Sequence, residues 1–160
     1  MRNLLAILAA SIALSSTAAA ETIDDQSSRV TLEVPAGWTH RPVNSALSID
    51  EPAKEVNFTI VVVDAADLKQ AAANAAGMLK KITSKLKLDR GKKLDLNGMA
   101  AMGFKGTAML GPKPIKIALI VAVTPANKGL LVIGLADAAR FKNHKKQVDA
   151  FLASIAPLRK

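Results

Sequence analysis

Residues 67–86, DLKQAAANAAGMLKKITSKL, constrain the fold of this chain more than any other stretch. Leu68, Ala71, Ala72, Ala75, Leu79, Ile82 and Leu86 recur at helical spacing, and at about 100° per residue they fall within roughly 60° of one line. A stripe of that kind belongs to a helix resting on a flat apolar surface. Asp67 suits the N-cap, and Gln70, three residues on, can close a capping box. Leu79 and Ile82 are expected in the core. Strand-like segments precede and follow the helix, so it is expected to cover a sheet.

Those segments follow in order. Residues 21–28 are polar and read as a loose leader. Residues 29–34 alternate, with Val30, Leu32 and Val34 on one face. Pro35-Ala36-Gly37 breaks that strand directly before Trp38. Residues 46–50 form a short strand with Leu47 and Ile49 inward, and VNFTIVVV at 56–63 is the strongest strand before the helix. Beyond the helix, 94–96 is a stub ended by Asn97-Gly98, a hairpin-type turn. Residues 99–110 read as a long strand in which Gly103 and Gly106 mark a bulge or a close backbone approach. Residues 115–123 are apolar on both faces and therefore central. Residues 130–135 give the last strand. Asp137 is the expected cap of a final helix over 138–155, with Phe141, Val148, Leu152 and Ile155 as its stripe, flanked by His144 and Phe151. About six to seven strands in meander-like runs and two main helices predict an α+β fold with a mostly antiparallel sheet.

The N-terminus concerns address rather than fold. Arg2, the apolar run 4–14 and Ala18-Ala19-Ala20 compose a secretory signal peptide, residues 1–20, with cleavage expected before Glu21. The run is too short for a comfortable membrane span. Residues 21–160 are then expected to form one domain, periplasmic or secreted from a bacterium, with no transmembrane segment after cleavage. The chain has no cysteine, which excludes disulfides, thiolate metal sites, a cysteine nucleophile and a lipid-bearing cysteine. With half of its residues hydrophobic, packing alone can hold it together.

The formal net charge is +9, and its distribution says more than its sum. Residues 21–67 carry nine acids against three bases, whereas residues 68–160 carry four acids against eighteen bases. Lys80, Lys81, Lys85, Lys87, Arg90, Lys92 and Lys93 crowd into one short stretch and form a candidate anionic docking surface. Basic surfaces of this size attract acidic protein faces, anionic lipid or other polyanions. Nucleic acid is not the expected partner, because stacking aromatics are scarce and no tyrosine occurs.

No arrangement of residues points to catalysis. His40 and His144 are the two histidines; Ser45 and Ser48 lie near His40 in sequence, but no Gly-x-Ser-x-Gly elbow is present. His40 reads as a solvated loop residue beside Trp38, and His144 as a partly buried structural one. Metal-ligand spacing is missing: there is no His-x-x-x-His and no calcium-loop pattern, and Asp24-Asp25 and Asp50-Glu51 read as solvated turn acids. The strand-to-helix junctions at 64–67 and 136–137 are acidic and glycine-free, unsuited to phosphate. No cofactor, metal or catalytic residue is therefore expected, and the chain reads as a non-enzyme.

The order strand, Val-Pro-Ala-Gly-Trp, two strands, Ala-rich helix, hairpin-linked strands and a terminal helix ending FLASIAPL resembles the PsbP-like family over most of residues 29–158. That family includes an extrinsic photosystem II subunit, a yeast Ran-binding import factor and bacterial envelope proteins of the DcrB and LpqN kinds. The resemblance implies an α/β/α sandwich and a binding or assembly role, with no shared catalytic residues. Two functional expectations follow. One is a non-catalytic envelope protein that binds a protein partner or an anionic surface component through its basic face, with Trp38 as a candidate apolar contact. The alternative is a periplasmic carrier holding a small apolar ligand in a slot between helix and sheet, which the Ala-rich face of the first helix would permit.

Overall fold

The computed structural model describes residues 19–159. Residues 1–18 of the proposed signal peptide lie outside the described residues. The chain runs β1 (Glu21–Asp25), β2 (Val30–Val34), β3 (Thr39–Val43), β4 (Ala46–Asp50), β5 (Val56–Val63), α1 (Leu68–Ile82), β6 (Ser84–Leu88), β7 (Lys92–Leu96), β8 (Met99–Leu110), β9 (Lys113–Val123), β10 (Gly129–Asp137), α2 (Phe141–Ser154) and β11 (Ala156–Pro157).

One eight-stranded antiparallel sheet carries the fold, in the order β3-β4-β5-β10-β9-β8-β6, with β7 also paired to β8. Side-chain alternation divides it into two apolar faces. On one, Ala71, Ala75 and Leu79 of α1 are fully buried with Leu119, Val121 and Leu131 of the sheet. On the other, Phe58, Ile60, Leu130 and Val132 lie under Val148 and Phe151 of α2 and under Val30, Leu32 and Val34 of β2. There β1, β2 and β11 form a separate three-stranded sheet beside α2. The α+β class and the mostly antiparallel sheet are as the sequence predicts, and β9 is indeed central, between β10 and β8.

The first helix is shorter than its stripe suggests. Asp67 caps it as expected: its Oδ1 accepts from the Gln70 N–H at 2.8 Å, and Gln70 Oε1 accepts from the Ala66 N–H at 2.7 Å. It ends at Ile82, where the Thr83 N–H and hydroxyl both donate to the Leu79 carbonyl, at 2.9 and 2.8 Å. Thr83 itself is extended, and Ser84–Leu88 continues as β6 against β8. Leu86 and Leu88 alternate with Lys85 and Lys87, a strand period hidden inside the tail of the helical stripe. Ile82 is consequently not core: it is 54% exposed, whereas Leu79 is 0%.

Three further corrections concern edges and caps. Residues 21–25 are not loose but pair with β2, from Glu21 opposite Val34 to Asp25 opposite Val30. Thr39–Val43, read as a loop, is the edge strand β3, a position that tolerates Pro42 because its outer side needs no ladder hydrogen bond. Asp137 closes β10 instead of capping α2, whose N-cap residue is Arg140.

Gly106 shows why β8 needs glycine. A Cβ there would stand 2.2 Å from the Lys87 carbonyl oxygen, so the backbones of β6 and β8 meet without room for a side chain. The pairing of β6 is irregular between Ser84 and Lys87, and Lys85 adopts φ of 53° at that point. The close approach expected at Gly106 is observed, and the irregularity lies in its partner strand.

Candidate functional site

Sheet order turns the charge split of the sequence into a spatial split. β3, β4 and β5 come from the acidic part of the chain and form one end of the main sheet; β6, β7 and β8 form the other. Lys80 and Lys81 end α1, Lys85 and Lys87 lie on β6, Arg90 joins the strands, and Lys92 and Lys93 lie on β7. All seven are exposed, and none takes part in an ion pair among the described residues. Two nearby acids are engaged with backbone instead: Asp89 Oδ1 accepts from the Lys105 N–H at 2.8 Å, and Asp95 Oδ1 from the Gly98 N–H at 2.9 Å. Lys85 and Lys87 project from a strand, not from the outer surface of the helix as the longer helix would place them.

Trp38 offers no exposed apolar contact. It is 7% exposed and stacks on Phe58 with ring centroids 6.2 Å apart, and Phe58 in turn meets Phe151 at 4.5 Å. The Gly37 turn thus delivers the indole into the core.

The slot expected beneath α1 is closed, since Ala71, Ala75 and Leu79 pack directly on the sheet. A groove of about 690 Å³ opens on the opposite face, beside α2. Its floor follows from strand register. One row across the sheet runs Lys105, Ala118, Gly134, Phe58; the next runs Lys87, Thr107, Lys116, Ala136, Val56. Ala118 and Gly134 face each other at the centre; half-buried Ala118 leaves the floor low, while the Phe58 ring covers Gly134. A Cβ on Gly134 would come within 2.7 Å of the Phe58 ring. Phe141, Val148 and Leu152 of α2 supply the apolar wall, and Lys116 Nζ sits 5.6 Å from the centroid of the Phe141 ring. No signal in the sequence marks this site, whose members are spread over five strands, a connecting loop and a helix.

Both histidines are bound to carboxylates. His40, on β3, has Nε2 3.0 Å from Glu21 Oε2 on β1, which ties the two sheets together. His144 is partly buried as expected and donates from Nε2 to Glu55 Oε2 at 2.7 Å; Arg140 donates to Glu55 Oε1 at 2.5 Å. Glu51, buried in the β4–β5 turn, accepts from the N–H groups of Ala53 and Glu55 through Oε2, and its Oε1 is 4.0 Å from His144 Nδ1. These contacts pin the first turns of α2 to the sheet. No group of three or more metal-ligating side chains converges among the described residues.

His144 first, then Arg140, hold the Glu55 carboxyl below the usual carboxylate range. A depressed folded-state pKa stabilises the fold above the unfolded value, and that contribution is lost as pH falls through the folded one. Glu55→Gln is therefore expected to lower Tm at pH 7 relative to the parent protein, with the gap closing as pH falls below about 4. A gap unchanged down to acid pH in thermal melts would contradict the ion-pair role.

No protein-family model matches the sequence, and no curated protein matches it significantly. Solved structures do match in fold. Cyanobacterial PsbP (CyanoP) from Synechocystis superposes with a TM-score of 0.67 at 13% identity, covering 92% of this chain and 97% of that one. The Ran-binding protein Mog1p of Saccharomyces cerevisiae gives 0.60 at 9% identity, with 89% and 97% covered. LpqN of Mycobacterium tuberculosis, involved in cell envelope biogenesis, gives 0.55 at 18% identity, with 79% and 82% covered. The fold is PsbP-like.

Proposed function

We propose that this chain is an exported, non-catalytic binding protein that docks an anionic partner at the cell envelope through its basic sheet edge. The observation that carries this reading is the cluster of seven exposed bases on α1, β6, β7 and the connection between the two strands, none of them paired among the described residues. Solvating charges need no such concentration, while an electrostatic docking face does. The roles of two structural neighbours, Ran binding for Mog1p and cell envelope biogenesis for LpqN, agree in kind with a binding role. No helix among the described residues is long and apolar enough to cross a membrane.

Binding to anionic vesicles, or to a protein captured by periplasmic cross-linking, is expected to fall steeply with salt, because exposed charges are screened beyond about 10 Å at 0.1 M ionic strength. Reversing Lys81, Lys85, Lys92 and Lys93 to Glu should abolish it while leaving Tm nearly unchanged, since exposed charges add little to folding. Salt-insensitive binding that survives the four reversals would overturn the reading.

The groove favours a second reading, the periplasmic carrier. Its volume lies within the range of about 300–1,000 Å³ typical of small-molecule sites. Its location moves from α1, where the sequence suggested a slot, to α2.

A further inference from the structure

Three features of the groove beside α2 go beyond an apolar slot. Its polarity runs along its length. The end over β5 and β10 is built from Val56, Phe58, Gly134 and Ala136 and closed by Val148. The end over β9, β8 and β6 carries Lys116, Lys105 and Lys87. None of these three lysines has a carboxylate partner among the described residues; of the lysines lining the groove, Lys145 alone is paired, with Asp149.

The lysines also converge by register. Lys87 and Lys116 both stand opposite Thr107, on its two sides, so their backbones are roughly 10 Å apart. Lys105 lies two residues along β8 from Thr107, and alternation puts it on the same face. Long lysine stems resting on apolar surface can bring three ammonium groups over one headgroup. Lys116 is half-buried against Phe141, which places its charge at the boundary between the apolar and cationic parts.

We infer that this groove binds a single-chain amphiphilic anion of the fatty-acid class, with its alkyl chain directed toward Phe58 and its carboxylate at Lys87, Lys105 and Lys116. The charge at the mouth selects the headgroup. Three unpaired lysines favour an anion, while Asp89 in the same lining opposes a doubly charged one, so a monovalent carboxylate fits better than a phosphate monoester. Half-buried Ala118 leaves the floor low enough for a chain to lie between sheet and helix, up to the Phe58 ring that covers Gly134. This inference rests on the carrier reading and is independent of the basic edge, apart from Lys87, which belongs to both.

Calorimetric titration of the exported protein with dodecanoate and with dodecanol, both below micelle formation, tests it. Dodecanoate is expected to bind more tightly than dodecanol. Lys105→Gln combined with Lys116→Gln, neither residue belonging to the seven-base edge, should weaken dodecanoate by about tenfold per lysine and leave dodecanol unchanged. Ala118→Leu, which fills the floor from a half-buried position, should abolish both, with its folding checked by thermal melting. Equal binding of the two probes, unaffected by the lysine substitutions, would overturn the inference and leave the carrier reading standing. Failure of both probes to bind the parent protein, or binding that survives in folded Ala118→Leu, would overturn both.

Discussion

Phe58→Ala is expected to destabilise the protein by about 3–5 kcal/mol, the range for truncating a buried phenylalanine. Phe58 is 1% exposed at the point where the indole of Trp38 and the ring of Phe151 meet it from two sides. Removing it forfeits the transfer of a large apolar surface and two aromatic contacts, each worth about 0.5–1.5 kcal/mol beyond area burial. The surroundings cannot collapse to fill the gap. Gly134, directly opposite on β10, has no side chain to move inward, and the void would merge with the groove. Urea denaturation measures the effect, and Trp38, the single tryptophan, reports it by fluorescence. A shifted midpoint with an unchanged m-value attributes the loss to stability. A cost below about 1 kcal/mol would contradict the central place given to this ring.

Leu79→Ala should cost about 2–5 kcal/mol, while Ile82→Ala, one turn further on, should stay within about 0.5 kcal/mol of the parent protein. The two residues share one sequence stripe but not one environment. Leu79 is fully buried against β9 and β10, whereas Ile82 is 54% exposed at the helix end. Alanine is also the better helix former, which offsets part of the small area that Ile82 loses. Equal, large losses at both positions would mean that the helix continues over the sheet. Equal, small losses would mean that α1 does not cover the core.

This pair marks the limit of what periodicity can decide. The first turns of α1 were legible because their signals are local: an Asp67 cap, Gln70 reaching back and a stripe of small apolar residues all agree. Its end was not. Leu86 satisfies both a helical period from Leu79 and Ile82 and a strand period with Leu88. The choice belongs to β8, which offers Thr107 and Gly106 as pairing partners and a glycine that admits the Lys87 carbonyl.

The strands β4, β5 and β8 were read to the residue, since alternation bounded by turns is a property of the segment itself. β1 and β3 carry too few apolar residues to announce themselves. They exist because β2 and β4 present open edges with complementary register. Trp38 reads from the sequence as a candidate apolar contact and not as a core residue, because Phe58, the ring it stacks on, lies on a strand separated from it along the chain.

By itself the sequence determined the fold class, the helix that covers one face, the central strand, the absence of cysteine chemistry and the separation of an acidic stretch from a basic one. Each is a sum over neighbouring residues or over composition. Only the tertiary structure decided where function can reside. It set the seven clustered bases at one end of the main sheet, closed the slot beneath α1 with alanine packing and opened a groove beside α2. The physical reason is strand order. Lys87, Lys105 and Lys116 are unrelated in sequence and become neighbours only when β6, β8 and β9 are hydrogen-bonded side by side.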